Sequence, residues 1–175
     1  AIPGVELRVV DDRGAPVPAG EVGHLVARGG NVTPGYLGDP AATAEILHDG
    51  WLWTGDLAAQ DADGFLFHRG RSKEILKIGG HRVSPVEIEH AIGVHPEVAE
   101  AAVVGVADPL HGERPVAFVV ARAGCSPAPE ALQRFCRERL PAWCVPHEVR
   151  LVEALPRNEA GKLLRAALAA QAAAA

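Results

Sequence analysis

Gly70-Arg71-Ser72-Lys73-Glu74-Ile75-Leu76-Lys77-Ile78-Gly79-Gly80-His81-Arg82-Val83-Ser84-Pro85 is the stretch on which the organisation of the chain turns. Its opening residues, Gly70 to Lys73, are polar and few, and a recognisable unit lies on either side of them. That is the composition of a hinge rather than of a long linker. Ile78 to His81 reads as a strand that runs into a glycine loop. Ser84-Pro85-Val86-Glu87 then supplies a helix start. Ser is the N-cap, Pro takes the first helical position, and Glu three residues after Ser closes a capping box. Val86, Ile88, Ala91 and Ile92 continue as an apolar stripe.

Toward the N-terminus the rhythm is that of strands. Val5, Leu7 and Val9 alternate with polar positions, and Asp12-Arg13-Gly14 supplies a turn. His24 to Arg28, Gly50 to Trp53 and Phe65 to His68 are further strands, with a short helix over Ala41 to Leu47. Short strands with Gly and Asp turns predict a small barrel or antiparallel sheet. Asp61-Ala62-Asp63-Gly64 faintly resembles a calcium loop, but no closing Glu follows, so it reads as a hairpin turn. Trp51, Trp53 and Phe65 read as sheet packing.

Toward the C-terminus strand and helix alternate. Ala101 to Val106 and Pro115 to Val120 are apolar runs of strand length, and Val149 to Val152 is a last strand. Glu130 to Leu140 is a helix with Leu132, Phe135, Cys136 and Leu140 inward. The Ala-rich end from Ala166 is expected to be a fraying helix. The fold class predicted is therefore α+β: a small β-rich, barrel-like subdomain, a hinge, and a compact unit with helices on one face of a small sheet.

The chain has 175 residues, 48% of them hydrophobic, which suits a globular protein of one medium or two small domains. A formal net charge of -5 leaves no basic surplus for nucleic acid. No apolar run reaches the roughly 18 residues of a membrane span. Cys125, Cys136 and Cys144 are odd in number and form no C-x-x-C pair. They are expected to be reduced thiols, small core residues of a cytoplasmic protein, with no metal site.

Three motifs carry chemistry. Gly50-Trp51-Leu52-Trp53-Thr54-Gly55-Asp56-Leu57 comes first, the Gly70–Pro85 stretch second, and Pro156-Arg157-Asn158-Glu159-Ala160-Gly161-Lys162 third. Gly23-His24-Leu25 through Gly35-Tyr36-Leu37, and Leu140-Pro141-Ala142-Trp143-Cys144-Val145-Pro146, support them. In this order and spacing, over nearly the whole chain, they resemble the C-terminal portion of the adenylate-forming (AMP-binding) superfamily: acyl-CoA synthetases, luciferases and peptide-synthetase adenylation domains.

The resemblance implies residues 1–70 as the β-rich end of a large AMP-binding domain and 71–175 as a mobile C-terminal domain. It implies an ATP-dependent, AMP-forming acid–thiol ligase that makes acyl-AMP and then an acyl thioester with coenzyme A, by rotation of the small domain. Asp56 would accept the ribose hydroxyls in charge-assisted bonds, with Arg71 beside the ribose. Lys162 would bridge the carboxylate and phosphate while acyl-AMP forms. Lys73 occupies the hinge position. Lys77 with the Gly79-Gly80 loop would serve the second step, lining a pantetheine channel, and Arg82 would contact a CoA phosphate. His81 and His111 read as structural or solvated.

ATP phosphates and Mg2+ would be held mainly by the missing N-terminal portion, since no Gly/Ser/Thr-rich phosphate loop occurs here. This chain by itself is expected to be inactive. Its partners would be a carboxylic acid, CoA and that N-terminal domain, with a lysine acetyltransferase able to neutralise Lys162. Transfer to a carrier protein or an amine stays open, although Lys73 and Gly80 speak against a peptide-synthetase domain. So does a non-catalytic module derived from a ligase tail, which the retained Asp56, Arg71, Lys77 and Lys162 oppose.

Overall fold

The computed structural model describes residues 2–174 and divides into two compact units, one ending at Lys73 and the other starting at Glu74. The first unit is an antiparallel sheet curled into a half-barrel. Its strands are β1 (Val5–Val10), β2 (Val22–Gly29), β3 (Leu47–His48), β4 (Trp51–Gln60) and β5 (Leu66–Arg71), with the short helix α1 (Pro40–Ile46) before β3. β4 is the axis. β2 lies along one edge, while β3 and β5 share the other, β3 pairing Trp51 and Leu52 and β5 pairing Asp56 to Gln60. β4 is far longer than the expected Gly50–Trp53 strand. Asp49-Gly50, with φ of 50° and 80°, turns β3 into β4, the Asp-Gly signal of a two-residue hairpin. Phe65 does not pack on the sheet as expected: it is 67% exposed, at the hairpin turn where Asp61 Oδ1 accepts the amides of Asp63 and Phe65.

The second unit contains β6 (Leu76–Ile78), β7 (His81–Val83), α2 (Pro85–Gly93), β8 (Val98–Asp108), β9 (Gly112–Ala121), α3 (Pro129–Arg137), β10 (Glu148–Leu151) and α4 (Arg165–Ala173). β9 is central, antiparallel to β8 and parallel to β10, and it touches β6 at Ile78–Gly112. Helices cover both faces, not one. Ile88 and Ile92 of α2 and Leu132 and Cys136 of α3 pack on Val103, Ala117 and Val119. Leu168 and Ala172 of α4 pack on Ala102, Val104, Val116 and Phe118. The continuously apolar β8 and β9 require this, because a strand without alternation buries both its faces. The Ala-rich tail is thus an anchored helix rather than a fraying one, with Leu168 1% and Ala172 3% exposed. Among the described residues no helix is long and apolar enough to cross a membrane.

Local readings differ at three places. Ser84 is the N-cap of α2 and Pro85 opens the helix, but the Ser84 side chain makes no cap bond, so no capping box closes. The Glu87 amide donates to the Ser84 carbonyl instead. Val86 faces outward, leaving Pro85, Ile88 and Ile92 as the buried stripe. α3 ends at Arg137, short of Leu140, because Pro141 disfavours helical backbone just before it. Cys136 and Cys144 are core residues, and burial pushes both thiols up, Cys144 to about 11, while Cys125 is only half-buried.

Gly105 interrupts the apolar run of β8 for a specific reason. A Cβ there would sit 2.6 Å from Glu113 Oε1 and 2.9 Å from Leu76 Cδ2. Glu113 cannot simply swing away, since its Oε2 accepts the Lys77 amide at 2.6 Å. Gly105→Ala is expected to break that bond and destabilise the unit by about 1–3 kcal/mol, read from urea unfolding of the chain. Unchanged stability would show that Glu113 does not depend on this gap.

Candidate functional site

Asp56 lies at the end of a bulge in β4. β4 advances from Trp53 to Leu57 while β2 moves only from Val26 to His24, so Thr54, Gly55 and Asp56 are partly unpaired on that side. Gly55 takes φ of 78°, which favours glycine, and no β3 or β5 residue pairs opposite it. Thr54 pins the bulge by donating to the Leu25 carbonyl at 2.8 Å and accepting the Asp56 amide at 3.1 Å. The carboxylate is thus held at a strand irregularity, a common device for aiming a functional side chain. Arg71 stands opposite Asp56 in register, and its Nε lies 2.8 Å from Asp56 Oδ1. Arg71 also donates to the Thr54 carbonyl at 3.3 Å, and His68 Nε2 lies 3.6 Å from the same Oδ1. The structure therefore brings Asp56 and Arg71 together. One carboxylate oxygen is engaged, leaving acceptor capacity on the other.

Lys73 lies in the 3-10 turn Ser72–Glu74 that joins the units. Beyond it, Lys77, Gly79, Gly80 and Arg82 share the β6–β7 hairpin. Gly79 and Gly80 have φ of 56° and 84°, the paired left-handed backbone of a tight hairpin. Lys77 and Arg82 are directly opposed and exposed, so they share one basic face, while Leu76, Ile78 and Val83 fill the core behind it. The Gly79 amide donates to the His111 carbonyl at 2.8 Å, tying the loop to the tip of the β8–β9 hairpin. A Cβ at Gly80 would meet nothing within 4 Å, so this backbone is open to a ligand's approach. His81 stacks on Trp143, centroids 4.2 Å apart at 5°, and Trp143 is 44% exposed.

Lys162 sits on a closed loop. The Leu164 amide donates to the Pro156 carbonyl, the Asn158 amide to the Lys162 carbonyl and the Gly161 amide to the Asn158 carbonyl, and Asn158 Oδ1 accepts the Lys162 amide at 2.8 Å. Arg157 fastens the loop to Glu100 at 2.7 Å. The Lys162 side chain is exposed and has no ion-pair partner among the described residues. Glu100 pairs with Val120 and Asp108 with Gly112. The Lys162 loop, through Glu100 of β8, and the glycine hairpin, through Gly112 of β9, are therefore tied to opposite ends of the β8–β9 ladder, eight residues or ~26 Å apart along the strand. Glu113, Arg157 and Arg165, which hold these segments, were not singled out by sequence reasoning.

Two closed loops thus lie at opposite ends of one sheet, downstream of a bulge that carries an acidic side chain and of the short 3-10 turn Ser72–Glu74. Residues 87–162 match the AMP-binding enzyme C-terminal domain, so that part of the chain is a member of this domain family. It is 44% identical to the 2-succinylbenzoate–CoA ligase of Geobacillus kaustophilus, covering 91% of this chain and 32% of that one. It is 43% identical to the sulfoacetate–CoA ligase of Cupriavidus necator, covering 93% and 32%. Among solved structures, ATP-bound MatB from Rhodopseudomonas palustris superposes with a TM-score of 0.93 at 35% identity, over 98% of this chain and 34% of that chain. The amide bond synthetase McbA from Marinactinospora thermotolerans does so with 0.94 at 37%, over 98% and 35%. The chain thus spans about a third of the length of the curated relatives it matches.

Proposed function

We propose that the chain is the C-terminal third of an AMP-forming carboxylate:CoA ligase, with residues 71–175 turning about Lys73 between two half-reactions. The observation that carries this reading is the placement of Lys162 and the glycine hairpin at opposite ends of the β8–β9 ladder. A rigid unit of that size offers one end at a time to a fixed nucleotide. In the first step Asp56, steadied by Arg71, accepts the ribose hydroxyls of ATP, and Lys162 offers its ammonium to the carboxylate and α-phosphate oxygens where charge builds. In the second step the Lys77–Arg82 hairpin lines the approach of the thiol. Gly79 and Gly80 let the backbone lie close to a narrow pantetheine arm, and Arg82 faces a CoA phosphate. Mg2+ would neutralise the triphosphate, held by residues outside these 175. Acetylation of the exposed Lys162 would remove its charge and stop the first step alone.

The match to an amide bond synthetase and 41% identity to a fatty acid–[acyl-carrier-protein] ligase of Streptomyces coeruleorubidus support a second reading, in which an amine or a carrier thiol takes the acyl group. The test is carboxylate-dependent pyrophosphate exchange by the complete ligase over a panel of acids, followed by CoA, amine and carrier acceptors. Exchange with no CoA thioester, but with amide or carrier product, selects the second reading. The 175-residue chain alone is expected to give no exchange; exchange by it would overturn the division of labour proposed here.

A further inference from the structure

Arg165 pairs with two carboxylates of the second unit, Glu74 and Glu89. It opens α4, immediately after the base of the Lys162 loop at Pro156–Leu164. Its Nη1 donates to Glu89 Oε1 at 2.5 Å and to the Val103 carbonyl at 3.0 Å, and its Nη2 to Glu89 Oε2 at 3.1 Å. Its Nε lies 2.9 Å from Glu74 Oε2. Glu89 Oε1 also accepts the Val103 amide at 2.8 Å. Two consequences follow. Among the described residues β8 pairs only with β9, so Val103 lies on an open sheet edge, and the Arg165–Glu89 pair satisfies both its outward backbone groups. Glu74, meanwhile, is the first residue of the unit. Its carboxylate takes no part in the Val103 clamp, and the edge is complete without it.

The Glu74 bond therefore does something else. It ties the exit of the hinge to the residue that starts α4 and follows the Lys162 loop. Resting on the rotation reading above, we propose that Arg165 is a positioning residue. Through Glu74 it ends the flexible segment at Lys73, so that a turn there carries the Lys162 loop and the glycine hairpin as one body. A guanidinium suits this role because its fork donates in fixed directions to two carboxylates at once.

Removing Arg165 itself would also open the β8 edge, so the discriminating variant is Glu74→Ala. 15N relaxation of the 175-residue chain should show ordered amides from Glu74 onward. In Glu74→Ala, order should begin later, at Leu76, with the melting temperature unchanged. Glu89→Gln should instead lower the melting temperature, because it breaks the clamp. In the complete ligase, Glu74→Ala should lower kcat several-fold in both half-reactions while leaving KM for ATP and the acid unchanged. Glu74→Gln, which keeps an acceptor oxygen, should restore part of the rate. Unchanged amide order in Glu74→Ala overturns the anchor. Loosened amides with unchanged rates overturn the positioning role while leaving the rotation reading to its own tests.

Discussion

Lys162→Ala in the complete ligase is expected to lower acyl-AMP formation by about 10²–10³-fold, the usual loss when one preorganised electrostatic contact is removed at developing charge. The loop should survive the change. Its shape depends on Asn158, Arg157 and backbone bonds, none of which uses the lysine ammonium. An exposed ammonium with no ion-pair partner among the described residues also leaves no orphaned carboxylate behind. Thioester formation from supplied acyl-AMP should be nearly unchanged, because on the rotation proposed above the glycine hairpin faces the nucleotide in that step, and Lys162 is tied some eight residues away along the β8–β9 ladder. The two half-reactions are measured separately, by pyrophosphate exchange and by CoA-dependent AMP release. An equal fall in both would contradict the assignment of Lys162 to one orientation only.

How far this site can be read from residues alone depends on the range over which each part is held. A boundary is legible because Gly70 to Lys73 are polar between two apolar patterns, and the two compact units part after Lys73. Asp56 is legible through its motif. Its projection is not, because the bulge is a register difference between β2 and β4 and so belongs to neither strand by itself. Covering of both sheet faces was readable in principle: Ala101 to Val106 shows no polar alternation, which already demands two apolar neighbours. Leu168 and Ala172, four residues apart on α4, were the matching signal inside an Ala-rich segment. Gly105 was a signal of close approach within a strand. The Arg165 node was not readable, because its partners Glu74 and Glu89 lie far away in sequence, and a charge at long range looks like any solvated surface charge.

Lys73→Pro tests the pivot, and its expected pattern is the reverse of the Lys162 variant. Lys73 ends the first unit, and the Glu74 carboxylate already belongs to the second through Arg165. Little backbone is therefore left to absorb a rotation. Proline holds φ near −65°, a value a 3-10 turn already uses, and it restricts Ser72 before it. Both units keep their own cores, so the substitution stiffens the joint without unfolding either side. On the proposed rotation, adenylation uses one orientation and precedes the turn, so it should persist. Thioester formation needs the second orientation and should fall by roughly 10²-fold, the scale of loss when a reacting group is misplaced. Lys73→Ala removes the charge but leaves φ and ψ free, so both steps should stay within a few-fold of the parent. Charge and freedom are thereby separated at one position. Loss of thioester formation in Lys73→Ala as well would make the ammonium, not the rotation, the functional feature of this residue. Full thioester activity in Lys73→Pro would move the pivot away from Ser72–Glu74 altogether.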